Sequence, residues 1–276
     1  MDQRIDVELG PVQETLLIPL LGRARETQKR DGLLQDDKAL EIVSRLTYDF
    51  DKWEGTQSLQ GATFRTLMFD GMVKDFLTRH PDGTVVEIGC GLNTRFERLD
   101  NGRATWVELD LPDSMALRRT FFEEAPRLKM IAASVLDPEW LDQLDAGPTL
   151  FVSEAVLIYL EAGEVERALR QIGIRFPGSE LIMDTTSSTM VERQARHDVM
   201  RTLPETSWFR WRCDDPQSVE AWGLTLKSSR TFVDAEPELV SKLTGWIGIM
   251  ARWAPWLLRR AIRGYRLNHY VFDDAR

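Results

Sequence analysis

The sequence predicts an α/β fold: a seven-stranded, mostly parallel sheet, Rossmann-like, with helices on both faces. Short, β-branched apolar runs alternate with helix-like stretches through the middle of the chain. The first run ends in a Gly-Cys-Gly turn, and acidic residues stand at the ends of several others. Continuously apolar strands belong to sheets buried on both sides, which a helix-covered parallel sheet provides.

Residues 12–80 read as helical. Apolar residues recur there at steps of three and four, as in Ala39, Ile42, Val43 and Leu46, then Phe64, Leu67, Met68, Met72 and Phe76. Pro81-Asp82-Gly83 is a turn signal, and it divides an N-terminal helical cap (1–80) from the core (81–276). Strands follow at Thr84–Ile88, Thr105–Leu109, Leu128–Ala132, Thr149–Val152 and Leu181–Met183, too short for buried helices and too apolar for surface strands. Beyond Asp184 the regularity loosens. A polar insertion at about 187–222 carries Pro204, Pro216 and the cluster Trp208-Phe209-Arg210-Trp211. Two further strands, Leu224–Phe232 and Arg266–Phe272, flank a Trp-rich helical insertion at about 236–264. Seven strands ending in a hairpin partner is the class I methyltransferase plan, whereas a dehydrogenase-type Rossmann domain has six parallel strands.

At 276 residues the chain can bury one large core. Its 44 acidic residues outnumber its 35 basic ones, giving a net charge of −9. That balance argues against sequence-independent nucleic-acid binding, which needs cations on phosphates, and suits a small-molecule partner. Cys90 lies between two glycines of a tight turn and Cys213 far from it, so both read as free thiols of a reducing, cytoplasmic compartment. The few histidines and cysteines show no metal-ligand spacing. The most apolar tract, Leu243–Leu258, is interrupted by Arg252 and falls short of the roughly 20 residues that cross a bilayer. Met1–Leu9 has no apolar signal-like stretch. A cytoplasmic monomer or homodimer is the expectation.

The chemistry gathers at the strand ends. Gly89 and Gly91 let the chain turn sharply and let a ligand approach the backbone. Thr94 stands where a dinucleotide fingerprint has its third glycine, which serves helix packing beside a pyrophosphate. S-adenosylmethionine has no pyrophosphate, so the change favours it over nicotinamide cofactors. Glu87, an acid in an apolar strand, reads either as a support for the cofactor's cationic end or as the partner of a nearby arginine. Asp110 ends the second strand, where a carboxylate accepts from ribose hydroxyls, and Glu108 shares its face by strand alternation. Ser134, Val135 and Asp137 follow the third strand, at the adenine position of class I enzymes. Glu154 follows the fourth, at the topological switch where ligands bind.

The combination "FRTLMFD", "VVEIGCGLNTRFERLD", "WVELDLPDSMALRR", "IAASVLD" and "SEAVLIYL" resembles the leucine carboxyl methyltransferase-like family. The likeness is to its bacterial branch of polyketide-tailoring O-methyltransferases and runs from about Arg65 to Asp184. The resemblance implies S-adenosylmethionine as cofactor, with Arg65 pairing its carboxylate through a bidentate guanidinium. It likewise implies Gly89 and Gly91 as the cofactor turn, Asp110 as the ribose ligand, and Ser134 and Val135 as the adenine clamp. Some relatives carry aspartate in place of Ser134, which makes Asp137 a substitute. Glu154 and Tyr159 match the family's glutamate and tyrosine after the fourth strand. Within Asn93-Thr94-Arg95, Arg95 reads as structural, held against Asp100 or Glu97.

The variable regions bear on the acceptor. Trp246, Trp253 and Trp256 run beside Arg252, Arg259, Arg260, Arg263 and Arg266. The leading expectation is an amphipathic helix pair with its aromatics on the sheet and its arginines in water; a lid over an apolar acceptor and contact with an anionic membrane are the alternatives. His197 is the histidine placed to serve as a general base. A phenol, with a pKa of about 10, gains from one; a carboxylate needs only alignment with the methyl group. Transfer to oxygen of a small molecule is the expected reaction. A nicotinamide oxidoreductase and a catalytically silent cofactor-binding subunit are the competing expectations.

Overall fold

The computed structural model describes residues 4–274, without the side chains of residues 246, 247, 255 and 259–261. The expectations for Trp246, Arg259 and Arg260 therefore lie outside the described residues. The helical reading of 12–80 resolves into α1 (Leu17–Thr27), α2 (Asp37–Arg45) and α3 (Gln57–Arg79). Asp36 caps α2, its carboxylate accepting from Ala39 N at 2.9 Å. A two-residue parallel ladder, Ile5–Asp6 with Leu46–Thr47, ties the start of the chain to the end of α2.

Next come β1 (Thr84–Ile88), α4 (Arg95–Leu99), β2 (Thr105–Asp110), α5 (Pro112–Arg118), β3 (Leu128–Ala132) and β4 (Thr149–Ser153). They continue with α6 (Ala162–Arg175), β5 (Glu180–Thr186), α7 (Ser188–Arg193) and β6 (Leu224–Arg230). The chain closes with α8 (Pro237–Ser241), α9 (Gly245–Trp253), α10 (Pro255–Ile262) and β7 (Tyr265–Phe272). The strands lie in the order β3-β2-β1-β4-β5-β7-β6, with β7 antiparallel to both its neighbours and the rest parallel. The expected strands all form, and the last two do make an antiparallel pair.

Alternate residues of β1 go to opposite cores. Val85 joins Phe64, Phe69 and Phe76 of α3 on one face, while Val86 joins Val165, Leu169 and Ile172 of α6 on the other. This is the helix-covered sheet that continuous apolar strands require. Strand order reverses between β1 and β4, and such a switch leaves a crevice beyond the carboxyl ends of the strands. Register sets Ile88 opposite Leu109 and Ser153, so Gly89, Asp110 and Glu154 all leave the sheet at one level.

One expectation about the second insertion fails. Trp253 and Trp256 are 84% and 70% exposed, so these aromatics do not pack on the sheet. Helices α1–α3 and α6 already fill the two sheet faces. Trp211 of the earlier cluster behaves as a core residue instead, buried and stacked on Trp222.

Candidate active site

Gly89 and Gly91 both have left-handed backbones, with φ of 66° and 49°. A Cβ at Gly89 would stand 2.4 Å from Val156 Cγ2, so the turn is a cradle packed against Val156 that only glycine fits. Two buried arginines hold this turn through its carbonyls. Arg23 donates to Leu92 O at 2.6 Å, and Arg118 donates to Gly91 O at 3.0 Å and Asn93 O at 2.7 Å. Glu108 fixes Arg118 in place through two hydrogen bonds, one of 2.6 Å from its Nε. Glu108 is thereby consumed beneath the turn and does not reach the crevice, although it shares a face with Asp110.

Asp110 caps the turn from the other side. Its carboxylate accepts from Gly91 N at 2.6 Å and Leu111 N at 2.7 Å. Each oxygen keeps a lone pair for a further donor. Burial pushes its carboxyl pKa up.

Arg95 is the hub of a second network. It donates to Asp70 at 2.8 Å and to Glu87 and Glu154 at short range. The expected partners were wrong: Asp100 pairs instead with Arg127 at 2.6 Å. Glu87 thus meets the arginine-partner reading, and it also lines the cavity. Arg65 Nε donates to Glu154 at 2.9 Å, Thr66 adds a hydroxyl at 2.8 Å, and Arg65 Nη1 reaches Tyr265 Oη at 3.2 Å. Burial raises the Glu154 pKa, but Arg65 and Arg95 outweigh it and hold the carboxyl at about 2. Beside them Ala155 has a left-handed φ of 54°, and its N–H donates to Asp184 at 2.8 Å. Tyr265 Oη donates to the same Asp184 oxygen, while burial pushes this carboxyl up to about 6. A non-glycine residue in that conformation stores strain, a feature that gathers at functional sites.

These groups border a cavity of about 1650 Å³, larger than the ~300–1,000 Å³ of a typical small-molecule site. Arg65, Glu87, Gly89, Gly91, Asp110 and Glu154 line one part of it. Ser134 and Val135 also line it, but Asp137 does not. Asp137 is exposed where the chain turns away into the 3-10 segment Pro138–Gln143. Tyr159 and His197 border the cavity too. Tyr159 packs on Phe209 with ring centroids 5.3 Å apart, and burial raises its pKa. His197 Nε2 lies 3.3 Å from Ser58 Oγ, and its Nδ1 is 3.4 Å from Met200 N. Ser58 in turn donates to Asp198, so three polar residues form one chain on the cavity wall. Burial lowers the His197 pKa and favours the neutral imidazole.

Several of these residues escaped the sequence reading. Arg118 carried a signal: it falls among Met115, Leu117, Phe121 and Phe122, where a charge must be buried and paired. Arg23, Ser58, Asp184 and Asp198 carried none, because their partners stand far away in sequence.

Sheet order and glycine cradle together define the class: this is the class I methyltransferase fold, built around S-adenosylmethionine. The chain belongs to the leucine carboxyl methyltransferase family, whose model matches residues 17–173. It is 30% identical to the tetracenomycin polyketide synthesis O-methyltransferase TcmP of Streptomyces glaucescens, over 96% of this chain and 98% of that protein. It is 28% identical to the S-adenosyl-L-methionine-dependent methyltransferase dpfgK of Gibberella zeae, over 91% of this chain and 92% of the other. Among solved structures, a DUF574 family protein from Streptomyces avermitilis superposes with a TM-score of 0.60 at 13% identity, covering 94% of this chain and 97% of that one. At that identity the match speaks for the fold alone.

The residues present fit the cofactor. Gly89 and Gly91 line the cavity without side chains, Asp110 keeps acceptor capacity for hydroxyl groups, and Arg65 is a cation on the cavity wall.

Proposed function

We propose that this methyltransferase acts on an oxygen, a carboxylate or phenolic hydroxyl, of a polyketide-like small molecule. The observation that carries this reading is the cavity itself. It has more room than one ligand needs, and its lining runs from the ends of β1, β2 and β4 to residues that follow β5. Charged and glycine positions from β1, β2 and β4 would hold the cofactor. Tyr159, Phe209, Ser58 and His197 border the remainder, together with the charged Arg193, Arg196, Asp198 and Asp214. TcmP, similar over nearly its whole length, is by name an O-methyltransferase of polyketide synthesis, which supports an acceptor of that class.

Arg65 would pair with the cofactor's carboxylate, Asp110 would accept from its ribose, and Ser134 and Val135 would border its adenine. Glu87 and Glu154 would bring negative charge toward its cationic end. The bound cofactor supplies a methyl group on a positively charged sulfur. The chain's own contribution is alignment: a dry wall that holds the acceptor oxygen in line with that methyl group. A carboxylate acceptor needs no proton removed. For a phenol, His197 would take the proton on Nδ1, which lies 3.4 Å from an Asp198 oxygen that would pair with the imidazolium. Two buried free cysteines favour a reducing, cytoplasmic setting.

Calorimetric titration with S-adenosylhomocysteine tests the cofactor half, followed by methyl transfer to a panel of carboxylic and phenolic aromatics. Arg65→Ala and Asp110→Ala should each weaken binding by about tenfold or more, since hydrogen bonds to charged groups contribute ~1.5–3 kcal/mol. Absence of binding by the unaltered chain would sink the reading. Binding without transfer to any oxygen acceptor would sink its acceptor half alone.

A further inference from the structure

Four of the five large hydrophobic residues exposed among the described residues fall on one helix pair. They are Ile249 and Trp253 of α9, and Trp256 and Leu257 of α10. Single exposed apolar residues are ordinary, but a concentration of them marks a contact surface. The charges of the same segment are equally one-sided. No aspartate or glutamate occurs between Glu238 and Asp273, while Lys242, Arg252, Arg259, Arg260, Arg263 and Arg266 all do. This on a chain of net charge −9 is a local inversion of sign. Arg252 gives one N–H to the Ser241 carbonyl at 2.7 Å and remains exposed, as does Arg263.

We propose that the α9–α10 pair is a surface that binds an anionic lipid bilayer, lying in the headgroup region. Tryptophan with flanking arginine is the composition of interfacial helices: the rings enter the acyl boundary and the cations stay with the phosphates. No described helix is long and apolar enough to cross a membrane, so the contact is one of lying on the surface. A second copy of the chain is a poorer occupant. A two-fold contact would set each basic segment against itself, and like charges would oppose the apolar gain. The sheet cannot take these rings either, because both its faces are filled. The segment ends at Ile262, Arg263 and Gly264, which also line the cavity, so the proposed membrane surface and the cavity share this stretch of chain.

Flotation of the full chain with vesicles tests this, comparing pure phosphatidylcholine with phosphatidylcholine rich in phosphatidylglycerol. Binding should appear on the anionic vesicles and fall with added salt. Lys242→Gln with Arg252→Gln, and separately Trp253→Ala with Trp256→Ala, should each weaken it about tenfold or more, given the attraction per cation and the apolar area lost. These side chains are exposed, and unchanged S-adenosylhomocysteine binding reports that the variants are folded. No binding to anionic vesicles would overturn the proposal. So would a homodimer in solution that the tryptophan pair of substitutions dissolves, because the surface would then belong to a second copy. Equal binding to both vesicle types would overturn its electrostatic half.

Discussion

The wall of the cavity between Gly89 and Glu154 is held by buried charge, whereas the wall between Ser187 and Gly264 is held by short turns and by a few hydrogen bonds to α3 and the start of the chain. In the first, Arg23, Arg65, Arg95 and Arg98 are balanced by Asp36, Asp70, Glu87 and Glu154. These ions sit in low dielectric, where an ill-placed partner is costly, so the arrangement has few alternatives. In the second, α7 and a series of 3-10 segments carry polar residues such as Ser58's partners His197 and Asp198, both partly exposed. In the proposed function the cofactor, the invariant reactant, is assigned to the wall of buried charge. The acceptor is assigned to the other wall, whose partly exposed bonds can change at little cost.

Breaking the hub should have the largest effect. Arg95→Ala would leave Asp70, Glu87 and Glu154 without a shared cation, although Arg98 and Arg65 would still reach two of them. Removing one partner of a buried ion pair costs about 3–5 kcal/mol, which lowers the melting temperature by roughly 10 °C in a chain of this size. Thermal unfolding reads it directly. A melting temperature within a degree or two of the unaltered chain would show that the network is no stronger than surface pairs.

Gly89→Ala sharpens the comparison at the cofactor itself. The left-handed backbone costs a non-glycine residue about 1–2 kcal/mol, and the new Cβ must displace Val156, itself a cavity residue. Cofactor affinity should fall about tenfold or more while the melting temperature falls only a few degrees. Calorimetry and a melting curve on the same sample separate the two. Equal affinity would mean that the cradle is not where the cofactor binds.

The contrast between the walls also explains what could be read from the sequence. Strand positions, the Gly89 turn and the acids after β1, β2 and β4 were legible because each depends on local pattern: a run, a glycine spacing, a charge ending an apolar stretch. The wiring between them was not. Arg95 looked to its neighbours Glu97 and Asp100, yet it is bound by Asp70 and Glu154, carried by α3 and the end of β4. Glu108 and Asp110 share a face, and only the pairing with Arg118 on α5 decides that one is buried support and the other a ligand candidate. Likewise, aromatic content alone did not tell that Trp211 is core and Trp253 solvent-facing. That depends on which sheet faces other helices have already covered.

The smallest effect belongs to the wall between Ser187 and Gly264. His197→Gln removes an imidazole partly open to solvent whose bonds are to Ser58 and Met200 N. Because burial lowers the folded-state pKa below the ordinary 6.5, protonation favours the unfolded chain. The stability this group permits is therefore present above about pH 6.5 and lost as pH falls through the folded value. The unaltered chain should lose melting temperature between pH 8 and pH 5 more than the variant does, by a few degrees at most. Cofactor affinity should not change, since His197 is bonded to none of the arginine or carboxylate groups of the other wall. Methyl transfer to a phenol should fall while transfer to a carboxylate holds. Loss of cofactor affinity in this variant would mean that the two walls act as one unit, and the division between them would have to be abandoned.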